Sequence, residues 1–286
     1  MSAESKDLIR PGEASVSITA VDGRVLRAAV VTLVIGGYMA LGAAFQLGAE
    51  AYLLLGIPIT IAFQLLVVRR PLRSFWLREA PPLAFTTPWL VAIVVVAIAP
   101  AVVAARGARD GDLALLGWGV ASMVGSVGAI YCLRAMDRDA VRSTVRTSLI
   151  TGAVLVAVMV AYRLISGGLT GNVTGALVAA TFSVATYLPV VFVLEEVLFR
   201  GVIDTYLHGS TPGADRATAL YGSALWGLWH LPVALALGIL TVPYLVVVHT
   251  AIGYFLVVSW RKTGNLAAPG IAHGVIDALR NGLAVL

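Results

Sequence analysis

Nine apolar stretches, at about 26–46, 51–68, 86–105, 113–133, 147–166, 175–195, 218–238, 241–260 and 266–285, constrain this chain more than any other feature. About 20 apolar residues in a helix cross the roughly 30 Å hydrocarbon core of a bilayer, so each stretch reads as a membrane helix. Charged residues make up 12% of the chain, half the soluble average of about a quarter. The expected fold is all-α: a polytopic transmembrane helical bundle of eight to nine spans. The lower count allows for the sixth stretch, interrupted by its own carboxylates, and the seventh, interrupted by Pro232.

Lys and Arg accumulate in cytoplasmic loops, which sets the orientation. With the N-terminus inside, Lys6, Arg10, Arg24 and Arg27, then Arg69, Arg70, Arg73 and Arg78, then Arg134, Arg138, Arg142 and Arg146, then Arg200, Arg216, Arg261 and Lys262 all fall on the cytoplasmic side. Arg106, Arg109, Arg163 and Arg280 fall outside or near outer span ends. The expected protein is integral to the plasma membrane of a prokaryote, with the lipid bilayer as its first partner. The net charge of +5 is absorbed by these loops and gives no support to nucleic-acid binding. The one cysteine, Cys132, excludes an intrachain disulfide.

Three regions are expected: a polar, mobile cytoplasmic tail over residues 1–22, a packing scaffold over 23–145, and a C-terminal domain over 146–286 that carries the chemistry. All four histidines and the intramembrane acids lie after residue 190. Glu195 and Glu196 close the sixth apolar run, where a buried charge calls for a partner or a function. On a regular helix Glu196, Arg200 and Asp204 share one stripe, which gives Glu196 a structural ladder. Glu195 points about 100° away and lies outside that ladder, in a setting that suits a general base. His273 and Asp277, four apart, present an oriented imidazole, a metal site or two polar groups aimed at one substrate atom. His230 sits where Pro232 disturbs its helix. His249 reads as a histidine at a helix contact beside Gly253, and His208 as a loop residue. By depth, Glu195 and His273 agree, and His230 joins them if its helix starts near Tyr221; the site then opens to the cytoplasmic half.

The order Glu195-Glu196-x-x-x-Arg200, then Trp226-x-x-x-His230, then His273-x-x-x-Asp277, with Gly264-Asn265-Leu266-Ala267-Ala268-Pro269 leading into the last, resembles the CAAX protease and bacteriocin-processing family of intramembrane proteases. The resemblance covers about residues 180–282. It implies that Glu195 and His230 activate a water for attack on a peptide carbonyl. It further implies that Glu196 and Arg200 shape the site, while His273 and Asp277 help to stabilise the oxyanion. Its substrate would be a membrane-associated peptide or protein, with or without a prenyl group. Two positions depart from the common pattern: Trp226 replaces phenylalanine, which is expected to alter pocket shape more than chemistry, and Asp277 replaces asparagine. An ionised aspartate cannot donate to an oxyanion. No cofactor is required by the resemblance; zinc held by Glu195, His230, His273 and Asp277 stays open, although no HExxH motif is present. Two other readings remain: a proton-coupled transporter using Glu195, His230 and His273 as a relay, and a silent membrane scaffold or immunity protein.

Overall fold

The computed structural model describes residues 13–166, 168, 171–208, 215–234 and 241–286. Eleven α-helices are found among them: α1 (Glu13–Ala44), α2 (Ala49–Ala62), α3 (Thr87–Asp110), α4 (Leu113–Leu133), α5 (Arg138–Ser166), α6 (Val173–Val191), α7 (Thr205–His208), α8 (Arg216–Trp229), α9 (Leu231–Ala234), α10 (Thr241–Thr263) and α11 (Ala267–Val285). Wider π-helical turns extend α2 over Phe63–Val68 and lead into α7 over Val197–Asp204. An isolated bridge between Leu77 and Asn265 is the β pairing among the described residues. Residues 1–12 of the expected tail lie outside the described residues, and helix begins at Glu13.

The helix starts follow from side-chain chemistry. Asp112, Asn172 and Asp215 each accept from backbone N–H groups in the first turn of α4, α6 and α8, which satisfies donors that a helix start otherwise leaves free. Exposed Val91, Val94, Val95 and Ile98 on α3 and Leu177, Val178 and Phe182 on α6 form an apolar outer surface that only lipid tolerates. Seven helices among the described residues are long and apolar enough to cross a membrane, and the chain is an integral membrane protein.

That count is below the eight to nine expected, and the two missing runs are both helices of the site. The seventh run breaks at His230 and Pro232, leaving α8 only 14 residues long. The ninth becomes α11, 19 residues long, but His273, Asp277 and Arg280 lower its hydropathy.

The basic loops gather at one end of the bundle. Arg78 donates to the carbonyls of Trp260 and Arg261, Arg134 to Pro82, and Arg261 pairs with Asp204 and donates to Asp215. The opposite end joins α5 to α11 through Arg163 and the Leu283 and Ala284 carbonyls.

The break between α6 and the Val197–Asp204 turn positions everything that follows. Pro189 sits in the last turn of α6, and the helix gives way to turns at Phe192, Val193 and Leu194. Non-helical backbone at membrane depth survives only when protein satisfies it. Trp76, from the loop before α3, reaches in and donates its indole N–H to the Phe192 carbonyl at 2.7 Å. Gly125 of α4 packs against the Pro189 carbonyl so closely that any Cβ would collide. The same loop is pinned to the start of α11 by Leu266 N–H on the Trp76 carbonyl and Arg78 N–H on the Gly264 carbonyl. The Trp76 loop is therefore a plug behind the break.

Trp76→Phe keeps the ring but leaves the Phe192 carbonyl without its donor. The expected result is a loss of about 1–3 kcal/mol, read as a lower unfolding midpoint of the purified protein in detergent.

Candidate active site

Beyond the break the chain stays inside the bundle. Val197 to Asp204 are all buried and continue in the wide helical turn, so Glu195 lies deeper than its place in the apolar run suggested. This depth lets His230 meet it although α8 starts at Arg216, not near Tyr221. Such wide turns occur mostly where a helix carries function.

Two carboxylates face two different partner sets. Glu195 Oε2 accepts from Trp226 Nε1 at 2.8 Å and lies 3.6 Å from His230 Nε2 and 4.0 Å from His273 Nε2. Glu196, with no exposed side-chain surface, places Oε1 2.8 Å from His273 Nδ1 and 3.0 Å from Arg200 Nη1. Arg200 is 1% exposed and lies over the Trp226 ring, 4.2 Å from its centroid. The expected ladder stops there. Asp204 pairs with Arg261, Nη2 to Oδ1 at 2.6 Å, because the turn between them is wider than an α-helix and carries Asp204 off the stripe.

The hydrogen bonds fix which imidazole nitrogens face the site. His230 Nδ1 lies 2.8 Å from the Trp226 carbonyl, which only accepts, so this nitrogen carries the proton and Nε2 is turned to Glu195. His273 Nδ1 donates to Glu196, and its Nε2 faces Glu195 and, at 3.7 Å, Asp277 Oδ2. Asp277 Oδ1 in turn pairs with Arg280 Nη2 at 3.1 Å. The six residues singled out by the motifs thus form one cluster. Among the described residues no group of three or more His, Cys, Asp or Glu side chains is arranged to hold a metal ion.

The structure brings to the cluster residues that the sequence did not place there. His249, expected at a helix contact, packs its ring 4.5 Å from His230 and 4.7 Å from Trp226, so that contact falls at the site itself. Tyr52, in the half expected to supply only packing, donates to the Trp229 carbonyl at 2.7 Å, beside His230. His208, expected in solvent, is half-buried at the end of α7. The Trp226 departure changes more than shape, since its indole N–H is a donor to Glu195 that phenylalanine lacks.

A cavity of about 200 Å³ is lined by Glu195, His230, Asp277 and Arg280 together with Tyr187 and Leu194 of the α6 region. Ala49, Tyr52 and Leu53 from the first turns of α2, and Trp118 from near the start of α4, also line it. These helices begin at the end of the bundle opposite the basic loops. The cavity therefore reaches away from the basic end, where an opening was expected. The basic end is filled by the Trp76 loop and the Arg261, Asp204 and Asp215 contacts.

The match to known proteins falls on this part of the chain. Residues 176–279 match the family model described as type II CAAX prenyl endopeptidase, Rce1-like. This is the family that the motif order resembles, and the matched segment holds every residue of the cluster from Glu195 to Asp277. No curated protein and no solved structure matches the chain.

Trp226→Phe is expected to remove the indole donor to Glu195 while the ring stack with His249, His273 and Arg200 persists. Because the Glu195 side chain is 17% exposed and water can replace the donor, the expected stability loss is about 1 kcal/mol, measured by thermal unfolding in detergent.

Proposed function

We propose that this protein is an intramembrane endopeptidase that hydrolyses a peptide bond of a membrane-associated substrate, with or without a prenyl group, through a water activated by Glu195 and His230. The observation that carries the reading is the 3.6 Å and 4.0 Å spacing of Glu195 Oε2 from His230 Nε2 and His273 Nε2. Each of these separations is short enough for a water to bridge the pair. The family match supports the same activity.

In this mechanism His230, holding its Nδ1 proton on the Trp226 carbonyl, offers Nε2 as an acceptor to one water hydrogen. Glu195 accepts the other and takes that proton as the water oxygen bonds to the carbonyl carbon of the scissile peptide. The carbonyl π electrons move to oxygen, and the resulting oxyanion is met by a proton on His273 Nε2, whose ring Glu196 orients through Nδ1. Glu195 then returns its proton to the leaving nitrogen, the carbon–nitrogen bond breaks, and an acid and an amine result. Asp277 accepts and does not donate, so its part is to orient His273 Nε2 and hold Arg280. Arg200 balances the Glu196 charge. By the positive-inside rule the basic end lies in the cytoplasm, and the membrane is the plasma membrane of a prokaryote.

Glu195→Gln keeps the shape and removes the base. Cleavage of a fluorogenic membrane peptide in proteoliposomes is expected to fall by about 10²–10⁴-fold, the range of general base catalysis, with an unchanged unfolding midpoint. Wild-type cleavage rates in this variant would overturn the mechanism.

A further inference from the structure

The basic end of the bundle holds a second cavity, of about 450 Å³, inside the range of about 300–1,000 Å³ usual for small-molecule sites. It shares no lining residue with the cavity around Glu195. The loop that carries Trp76 supplies Arg78, Glu79 and Pro81, the turn after α4 supplies Ala135, and the end of α10 supplies Lys262 and Thr263. These walls are braced. Arg73 Nε donates to the Ala80 carbonyl at 3.2 Å, the Tyr131 hydroxyl to that of Pro81, and Arg134 to that of Pro82 at 3.0 Å. The Leu77–Asn265 bridge and the bond from Arg78 N–H to the Gly264 carbonyl tie the same loop to the turn before α11.

The charge of this cavity is unbalanced. Arg78 and Lys262 bring two positive charges to its lining, and Glu79 brings one negative charge. Arg78 Nη1 and Nη2 donate to the carbonyls of Arg261 and Trp260 at 3.2 Å each, and neither bond neutralises the guanidinium. Asp204, another acid whose field reaches Arg78, is taken up by Arg261. Lys262 is exposed, and among the described residues it has no hydrogen-bond or ion-pair partner. The surroundings are those of a bilayer surface. Exposed Leu72 and Leu83 flank the basic residues of the loop, so an apolar surface adjoins the cations. Basic pockets between membrane helices on the cytoplasmic side hold acidic headgroups.

We propose that this cavity binds the phosphate of an anionic phospholipid between Arg78 of the loop and Lys262 of α10. A phosphodiester carries one negative charge, which matches the excess of one. Its oxygens accept from a guanidinium edge on one side and an ammonium on the other. A phosphate held in this way joins the Trp76 loop to α10 and strengthens the plug behind the broken helix. Free inorganic phosphate offers the same oxygens without acyl chains, and the test separates the two sources. Neither the site nor its test involves hydrolysis.

Binding is read by native mass spectrometry of the detergent-purified full chain with phosphatidylglycerol or phosphatidylcholine of identical acyl chains. Phosphatidylglycerol is expected to bind about fivefold or more tightly, the scale of one cation acting on an acidic lipid. Lys262→Gln weakens phosphatidylglycerol by about the same factor and leaves phosphatidylcholine unchanged, Lys262→Glu weakens it further, and Lys262→Arg restores it. Glu79→Gln, by removing the repelling charge, tightens it. Because Lys262 is exposed and unpaired, its variants keep the wild-type fold. Arg142→Gln, at a residue 79% exposed near the start of α5 and outside the cavity, leaves the affinity unchanged. A second readout is the thermal unfolding midpoint, which rises saturably with phosphatidylglycerol, rises less in Lys262→Gln, and does not respond to inorganic phosphate at equal ionic strength. An equal rise with inorganic phosphate overturns the lipid assignment. Equal binding of the two lipids, a preference that survives Lys262→Glu, or an equal loss in Arg142→Gln overturns the site.

Discussion

A carboxylate with no exposed surface, in a helix bundle that lipid surrounds, is the constraint on which the rest of this structure depends. An isolated ion in such a place costs several kcal/mol, and Glu196 is held there only because Arg200, one turn along the same segment, and His273, from α11, both reach it. Those partners are themselves fixed. Arg200 lies on the Trp226 ring, and the same indole donates to Glu195. One aromatic side chain therefore couples the two glutamates, one on its edge and one through the guanidinium on its face. Moving any of these groups would leave a charge buried without compensation, so the cluster is rigid for electrostatic reasons before any catalytic requirement is considered.

Glu195 and Glu196 lie in helical backbone between the turns from Phe192 to Leu194 and the wide turn after Glu196. Consecutive helical residues diverge by about 100°, and the His273 imidazole lies between the two carboxylates, with Nε2 toward Glu195 and Nδ1 toward Glu196. The break exposes a carbonyl, and the Trp76 loop satisfies it. Residues far apart in the chain thus serve one purpose: a scaffold loop makes an irregular backbone tolerable at the point where the polar side chains must meet.

Much of this was legible in the sequence. Hydropathy located α2 with its π-helical extension, α4, α6 and α10 within a few residues and the apolar parts of α1, α3 and α5, whose helices run further, and motif order named the six residues that converge. The failures share physical causes. Asp204 was assigned to Arg200 because a period of 3.6 was assumed where the chain adopts a wider turn. Helix α11 was counted as an ordinary span, yet the site itself makes it polar, whereas the interruption that shortens α8 was expected at Pro232. The direction of the cavity was missed because depth was measured from the end of an apolar run, whereas the buried segment from Val197 to Asp204 carries the chain further. The helix contact expected of His249 did not say which helix it meets, and Tyr52 carries no local signal; their contacts to His230 and its neighbours exist only in three dimensions.

Asp277 shows how one departure from a family pattern propagates. Asparagine at this position would bring a neutral donor next to His273, needing no counter-ion. Aspartate brings a third carboxylate to an imidazole already bonded to Glu196 and near Glu195. That accumulation of negative charge in a low-dielectric site is untenable unless a cation joins it, and Arg280, one turn along the same helix, is that cation. Asp277 and Arg280 together make this wall of the cavity an ion pair.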